Sequence, residues 1–511
     1  MSFAKVYCRA CVGIEAKLVC AEVHLSPGLP TFSLVGLPET VVRESKERVR
    51  SAIINSQFDF PMRRITVNLA PADLPKQGGC FDLAIALGIL VASKQLPAEV
   101  LERCEFAGEL ALSGELRPVR GLIAWVRASA SCGRSLFVPQ ANSVEAGLIL
   151  EAQKIGPFLP IWAADHLLSV CAHLLKKRNL PALIAHDLSR GPQESMEDLS
   201  DVRGQVAAKR ALVIAAAGRH HLLLHGPPGA GKTLLARCLA GLLPMLSIEE
   251  AEEVAMLYTQ HRGGFEVSSW RKRPFRSPHH SASMAALVGG GRPPGPGEIS
   301  LAHRGVLFLD EFPEFSRQAL ESLREPLELG EIRISRAGIQ MNYPAQFQLV
   351  AAMNPCPCGY VGSNSRHCRC SPPILQRYRD RLSGPLLDRI DLQVAVSPIA
   401  PQELLNSSTE LKGPTTLLMR TQVERVWARQ RERRRENAAL DMNFFTLESP
   451  LSATSRSLLD KIVLSVGLSA RGVVRLLRVA RTIADLEAAD RLSDEHIHEA
   501  FSYRVLPKLS P

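Results

Sequence analysis

The periods of hydrophobic and polar positions divide this chain into three stretches. Up to about residue 170, runs of strand character ("KLVCAEVHL", "RITVNLA", "SLFVP") alternate with segments of helical period ("VVRESKERVRSAIINS", "FDLAIALGILVASKQ"). That alternation predicts one α/β domain over 1–175. Residues 176–201, "KKRNLPALIAHDLSRGPQESMEDLSD", are polar, carry Pro and Gly and keep no period, which marks a linker. From 202 to 400 short apolar strand patterns return in "HLLLH", "GVLFLDEF", "FQLVAAMN" and "DLQVAV", and predict a second α/β domain. Between the second and third of these, "EIRISR" and "IQMNY" alternate in type around "AG", a hairpin signal with Arg336 near the tip. Over 401–511 the period is helical to the end, through "TTLLMRTQVERVWARQRERRREN", "SATSRSLLDKIVLSVG", "ARGVVRLLRVARTIADLEAA" and "SDEHIHEAFSYRVL". No internal repeat interrupts this plan.

Composition narrows the class. A chain of 511 residues exceeds one ordinary core, and 46% hydrophobic with 22% charged residues describes a soluble globular protein. The start, "MSFAKVYCRACVGIEAKLVC", lacks the layout of a signal peptide. The apolar stretch "LALSGELRPVRGLIAWV" is broken by Glu115, Arg117 and Arg120, so no membrane span is expected. A cytoplasmic setting follows as the expectation, with thiols kept reduced. A net charge of +10 adds a mild pull towards polyanions.

The most specific chemistry lies in "HLLLHGPPGAGKTLLARCLAGLL". Gly226, Pro227, Pro228, Gly229, Ala230, Gly231, Lys232 and Thr233 spell a phosphate-binding loop between a strand and a helix. Its backbone N–H groups can wrap phosphates, Lys232 can reach the β/γ-phosphates, and Thr233 offers a hydroxyl to Mg²⁺. The strand "GVLFLDEF" ends in Asp310, a second Mg²⁺ holder, and Glu311, which would polarise the attacking water. Such a pair could otherwise only start a helix. Asn354 ends "FQLVAAMN", where an amide can orient water, although Asn also favours turns. Arg389, in "SGPLLDRID", has the place of an arginine finger for a neighbour's γ-phosphate; the plainer alternative is an ion pair with Asp388 or Asp391. These residues point to ATP hydrolysis with Mg²⁺.

Other side chains fall outside that site. Four of the twelve cysteines crowd into "NPCPCGYVGSNSRHCRC": Cys356, Cys358, Cys368 and Cys370. A disulfide clip, a redox switch and a metal knuckle compete. A reducing compartment disfavours the first, and four thiolates can close a tetrahedral structural Zn²⁺ site, with His367 as a spare ligand. "RPFRSPHHSAS" groups Arg273, Arg276, His279 and His280, and suits a substrate or subunit-interface loop better than a metal site. Seven arginines against three glutamates between Arg420 and Glu436 suit a solvated helix face, with DNA contact as the alternative.

The phosphate loop, "GVLFLDE", Asn354, "SGPLLDRID" and the helical tail resemble AAA+ ATPases of the magnesium-chelatase-like branch. "RPFRSPHHSASMAALVGGGRPPGPGEISLAHRGVLFLDE" followed by "NPCPCG" resembles the competence protein ComM family, over nearly the whole chain. The resemblance implies an α/β fold: an AAA+ P-loop ATPase core with a helical lid, preceded by a Lon-protease-like α/β domain. It implies a homo-hexameric ring with ATP between subunits, and matches Arg471 to a sensor arginine on the lid. The first domain resembles the proteolytic domain of Lon proteases in "PADLPKQGGCFDLAIALGIL" and "FAGELALSGELRPVRGLIAWVRASASCGRSLFVPQAN". Where that dyad needs a nucleophile and a lysine, this chain carries Cys80 and Ile123. An isoleucine cannot serve as the base, so no peptidase is expected. The "EIRISR" hairpin resembles the pre-sensor-1 hairpin of minichromosome maintenance helicases, which places Arg333 and Arg336 on DNA, with Arg273 and Arg276 as a second candidate contact. The implied function is a DNA motor, a branch-migration helicase that integrates single-stranded DNA in natural transformation. Single-stranded and branched DNA and recombination proteins would be its partners. The alternative is a chelatase-type remodeller of a protein partner.

Overall fold

A computed structural model describes residues 2–36, 44–76, 78–152, 160–184, 197–261, 263–291, 294–336, 339–362, 366–398 and 414–504. The chain forms two compact units: Met1–Pro192 with Ser247–Arg271, and Gln193–Leu246 with Lys272–Pro511. The division falls inside the stretch expected to be a linker. Residues 247–271, which the sequence places in the second α/β region, pack with the first unit, and the C-terminal helices share the second unit with the five-stranded sheet.

The first unit is built on strands β1 (Phe3–Val12), β2 (Glu15–Ser26), β3 (Thr31–Val35), β4 (Arg64–Ala70) and β5 (Cys104–Phe106). A small hairpin, β6 (Glu109–Leu110) and β7 (Leu116–Arg117), is followed by β8 (Ser135–Pro139) and β9 (Ile161–Ala164). The sheet order is β3-β4-β2-β1-β5-β8-β9. Pairing is antiparallel for β1 with β2 and β2 with β4, and parallel elsewhere. Burial alternates along β1 and β2, as expected for strands with one covered face. The helix Asp82–Ala92, apolar almost throughout, is buried along its whole length and packs on β1 and β2. Under the sheet, Arg9 makes a two-pronged ion pair with Glu105, Nε to Oε2 at 2.6 Å and Nη2 to Oε1 at 2.8 Å. The helix Ile248–Gln260 starts with a Ser247/Glu250 capping box and packs on the helix Leu122–Ser131. Gln260 also donates to the Gly13 carbonyl. These contacts are why 247–271 belong to this unit.

The second unit has a five-stranded parallel sheet of order β11-β14-β17-β10-β18. Its strands are β10 (Leu222–His225), β11 (Phe275–Arg276), β14 (Val306–Leu309), β17 (Gln348–Met353) and β18 (Leu392–Ala395), with the small pair β12 (Gly289–Gly290) and β13 (Gly295–Pro296) beside it. Central strands of a parallel sheet are covered on both faces, and "LLLH" and "VLFL" are buried at every position. The expected hairpin forms as β15 (Glu331–Arg336) and β16 (Ile339–Pro344), with Arg336 opposite Ile339 next to the turn. Helices Thr416–Glu432, Ala453–Val466, Ala470–Leu486 and Asp494–Ser502 make the C-terminal bundle. It shares its core with the helix Val206–Gly218 through Trp427, Leu476, Leu477 and Ile483.

Candidate nucleotide-binding site

Because β10, β14 and β17 run parallel, their C-terminal ends come out at one edge, where open α/β sheets bind ligands. The phosphate loop leaves β10 with Gly226, where a Cβ would lie 2.1 Å from the Val396 carbonyl oxygen, so only glycine fits. Gly231, at φ +86°, takes the left-handed turn that starts the helix Lys232–Leu242. That helix aims its first N–H groups, and its positive dipole end, at the loop.

Lys232 is buried and held by three acceptors: the carbonyls of Gly226 at 2.8 Å and Pro227 at 2.9 Å, and Asn354 Oδ1 at 3.0 Å. Burial pushes its pKa down, and Asp310 partly offsets this. Thr233 Oγ1 donates to Asp310 Oδ2 at 3.0 Å, so the two expected Mg²⁺ holders already converge. Asp310 Oδ1 accepts from the Glu311 backbone N–H at 2.9 Å. Glu311 has a left-handed φ of 50°, and its Oε2 lies 2.9 Å from His280 Nδ1. The structure thus brings Lys232, Thr233, Asp310 and Asn354 together by direct hydrogen bonds. His280 was missed as a neighbour of Glu311. The signal was available in principle: "SPHH" follows β11, and β11 and β14 are parallel neighbours that end at the same edge.

Arg389 and Arg471 meet elsewhere, on one carboxylate. Arg389 is buried and pairs with Glu328, and Arg471 Nη1, largely exposed, lies 3.7 Å from the same Glu328 oxygen. Arg389 Nη1 also donates to the Pro385 carbonyl at 2.6 Å. The alternative partners expected from sequence were Asp388 and Asp391. Asp391 instead takes Arg475 at 2.9 Å and the His221 N–H at 3.1 Å. Burial opposes its ionisation, yet His220 and Arg475 hold it well below the usual carboxylate range.

The four cysteines form one cluster. Cys356 Sγ lies 3.3 Å from Cys358 Sγ and 3.8 Å from Cys368 Sγ, and Cys358 and Cys368 are 3.5 Å apart. With Cys370, all four sulfurs fall within 4.8 Å of one another. Zinc bonds of about 2.3 Å in a tetrahedron set sulfurs about 3.8 Å apart, so the donor set fits that ion. Burial works against the Cys358 thiolate, but backbone N–H donors of Arg369 and Tyr360 outweigh it and bring its pKa down to about 6.

The basic candidates separate. Arg333 is exposed and pairs with Glu331 at 2.6 Å; the backbone of Arg336 ends β15, and its side chain lies outside the described residues. Arg273 is buried, donates to the carbonyls of Pro244 at 2.5 Å and Arg304 at 2.6 Å, and stacks on Trp427. Arg276 is bidentate to Glu298 at 2.6 and 2.7 Å. Both guanidiniums therefore have partners within this chain. In the arginine-rich run, Arg433 reaches Asp485, Arg435 reaches Glu448, and Arg420 donates to the Gly241 carbonyl. In the first unit Cys80 is partly buried, and burial raises its pKa well above the usual thiol value. Ile123 is fully buried, Lys76 turns to the Pro71 carbonyl, and Asp82 is held by Arg48 and Ser45. No helix among the described residues is long and apolar enough to cross a membrane.

A parallel sheet carrying a phosphate loop, a neighbouring Asp-Glu strand end and a helical bundle defines a P-loop ATPase of AAA+ type. The family profile "Magnesium chelatase, subunit ChlI" matches residues 198–404, its C-terminal counterpart matches 413–504, and "Subunit ChlI of Mg-chelatase" matches 21–142. The chain is 48% identical to competence protein ComM of Haemophilus influenzae, covering 100% of this chain and 99% of that one. It is equally 48% identical to the protein YifB of Escherichia coli, over 100% and 98% of the two chains. The 38 kDa magnesium-chelatase subunit of Rhodobacter capsulatus is 25% identical over 60% of this chain and 87% of its own. The chain belongs to the ComM family of magnesium-chelatase-like AAA+ proteins.

Proposed function

We propose that this chain is an ATP-driven motor that moves DNA, a branch-migration helicase that helps integrate single-stranded DNA during natural transformation. The observation that carries the reading is the hairpin β15–β16. It stands between the Asp310–Glu311 strand end and the Asn354 strand, and its register puts Arg336 at the turn. A basic tip repeated around a ring suits contact with phosphates, which needs no base reading. The Haemophilus influenzae relative is a competence protein, which agrees with a role in natural transformation.

On this reading Lys232 neutralises the β/γ-phosphates, exchanging the acceptors it now holds for phosphate oxygens. Thr233 and Asp310 hold Mg²⁺, which supplies charge neutralisation to the phosphates. Glu311 takes the proton of the attacking water, and Asn354 orients that water. Arg389 and Arg471 lie together on Glu328; Arg389 is the finger for a neighbour's nucleotide in a homo-hexamer, and Arg471 is the sensor arginine of the lid. Cys356, Cys358, Cys368 and Cys370 hold one structural Zn²⁺. The first unit is a Lon-like scaffold for assembly without peptidase activity, since Ile123 stands where the dyad needs lysine. The protein acts in the cytoplasm beside recombination proteins. The deciding experiment is strand exchange on three-stranded and four-stranded DNA, with and without ATP. ATP-dependent conversion of both substrates supports the motor.

One observation favours a second reading, the match to a magnesium-chelatase subunit. A chelatase-type remodeller would hydrolyse ATP at the same site but leave both DNA substrates unchanged.

A further inference from the structure

The stretch between Asn354 and Tyr378 leaves the nucleotide site and returns to it. At its start, Asn354 holds Lys232 through Oδ1 at 3.0 Å. Two residues on, Cys356 is fully buried. The chain then turns at Gly359, whose φ of +84° lies in the left-handed region. A Cβ there would lie 2.5 Å from Pro228 Cδ and 2.7 Å from Pro228 Cγ, so the backbone of the cysteine turn rests directly on the phosphate loop. The turn is fixed from within: the Gly359 N–H donates to the Cys356 carbonyl at 2.9 Å, and the Val361 N–H to Cys356 Sγ at 3.4 Å. The helix Pro372–Arg379 begins two residues after Cys370, and its buried Tyr378 comes against the Asn354 backbone. The excursion therefore begins and ends on the residue that positions Lys232.

We propose that the metal held by the four cysteines is thermodynamically coupled to the ATP site: zinc and nucleotide bind this chain cooperatively, through Gly359 on Pro228 and Tyr378 on Asn354. The inference rests on the zinc reading above and goes beyond a merely structural ion. Without the metal, four thiols packed within 4.8 Å of one another have no common partner, and the loop loses its cross-link. The chain entropy so released is paid at the two places where the loop touches the site. Coupling free energies between sites typically change affinity about fivefold to 150-fold, and the change is reciprocal.

The experiment uses the full chain, purified without chelators. Zinc content is measured by atomic emission, and the Kd for a fluorescent ATP analogue with Mg²⁺ is measured before zinc extraction, after it, and after zinc is restored. Extraction should weaken nucleotide binding about tenfold, restoration should reverse this, and saturating nucleotide should tighten zinc by the same factor. Gly359→Ala, with all four thiols kept, should stay zinc-loaded yet bind nucleotide more weakly. Tyr378→Phe should stay zinc-loaded and show a smaller zinc dependence of nucleotide affinity. Full extraction with an unchanged Kd overturns the coupling while leaving the zinc site standing. A chain that never carries zinc overturns the site and the coupling together. If circular dichroism shows that extraction unfolds the protein, the two variants decide, and zinc-loaded forms of both with wild-type Kd overturn the proposal.

Discussion

Glu311 and Asp310 are adjacent in sequence but engaged with different groups. Asp310 faces Thr233 and so the Mg²⁺ position, while Glu311 meets His280 across the strand ends. A change at Glu311 should therefore spare nucleotide binding, because Lys232, Thr233 and Asp310 keep their contacts. Glu311→Gln keeps the shape and removes the base. General-base contributions are about 10²–10⁴-fold, so phosphate release should fall by about that factor while ATP affinity stays within about twofold. Binding and release are measured separately, and release at the wild-type rate would take Glu311 out of the mechanism. Sequence reading reached these residues because the chemistry is local: loop, strand end and strand end each fall within one short motif. It missed His280, since the contact depends on which strands are neighbours.

Among the elements, the β10–β17 pairing carries a titratable contact. His221 Nδ1 accepts the Leu349 N–H at 3.1 Å, which only a neutral ring can do. Burial lowers its pKa to about 4, helped by Arg475 and His220 and opposed by Asp391. A folded-state pKa below the unfolded value of about 6.5 means stability that is full above that pH and is lost as pH falls towards 4. After allowance for partial exposure, the loss is about 2 kcal/mol. Melting curves of wild type and His221→Asn from pH 7 to 4.5 test this: the wild-type melting temperature should fall more steeply, and parallel curves would remove His221 as the cause. The strands themselves were legible from apolar runs and the hairpin from its alternation, because burial on two faces or one imposes those patterns. Packing over long sequence separations was not legible. Nothing near "LLDRID" announces Glu328 as the partner of Arg389, and nothing in residues 247–271 announces that they pack on the first unit rather than on the sheet they interrupt. Arg273 shows the same limit, since an arginine in a basic motif reads as exposed until its carbonyl partners and Trp427 surround it.

At the scale of the whole molecule, a nucleotide site shared between subunits and a DNA contact can be told apart. If Arg389 serves a neighbour, Arg389→Ala and Lys232→Ala subunits, each inactive alone, should regain part of the ATPase rate when mixed, because some interfaces then pair an intact loop with an intact finger. Absence of rescue at every ratio, with subunit exchange confirmed, counts against a shared site. The DNA contact is tested through salt. Each phosphate contact on single-stranded DNA contributes about 0.7 to the slope of log K against log salt. Arg336→Ala should therefore weaken binding to single strands of any sequence and flatten that slope by about 0.7 for each engaged subunit. Arg333, already paired with Glu331 at 2.6 Å, should change the slope less. Unwinding should fall with Arg336→Ala while ATPase without DNA stays near normal, since the residues that hold the nucleotide keep every contact. If the slope is unchanged and basal ATPase collapses, the hairpin supports the sheet rather than the DNA. Arg273 and Arg276 would be poor substitutes, because one is buried on carbonyls and the other is bidentate to Glu298. The DNA path would then have to run over other basic side chains of the chain.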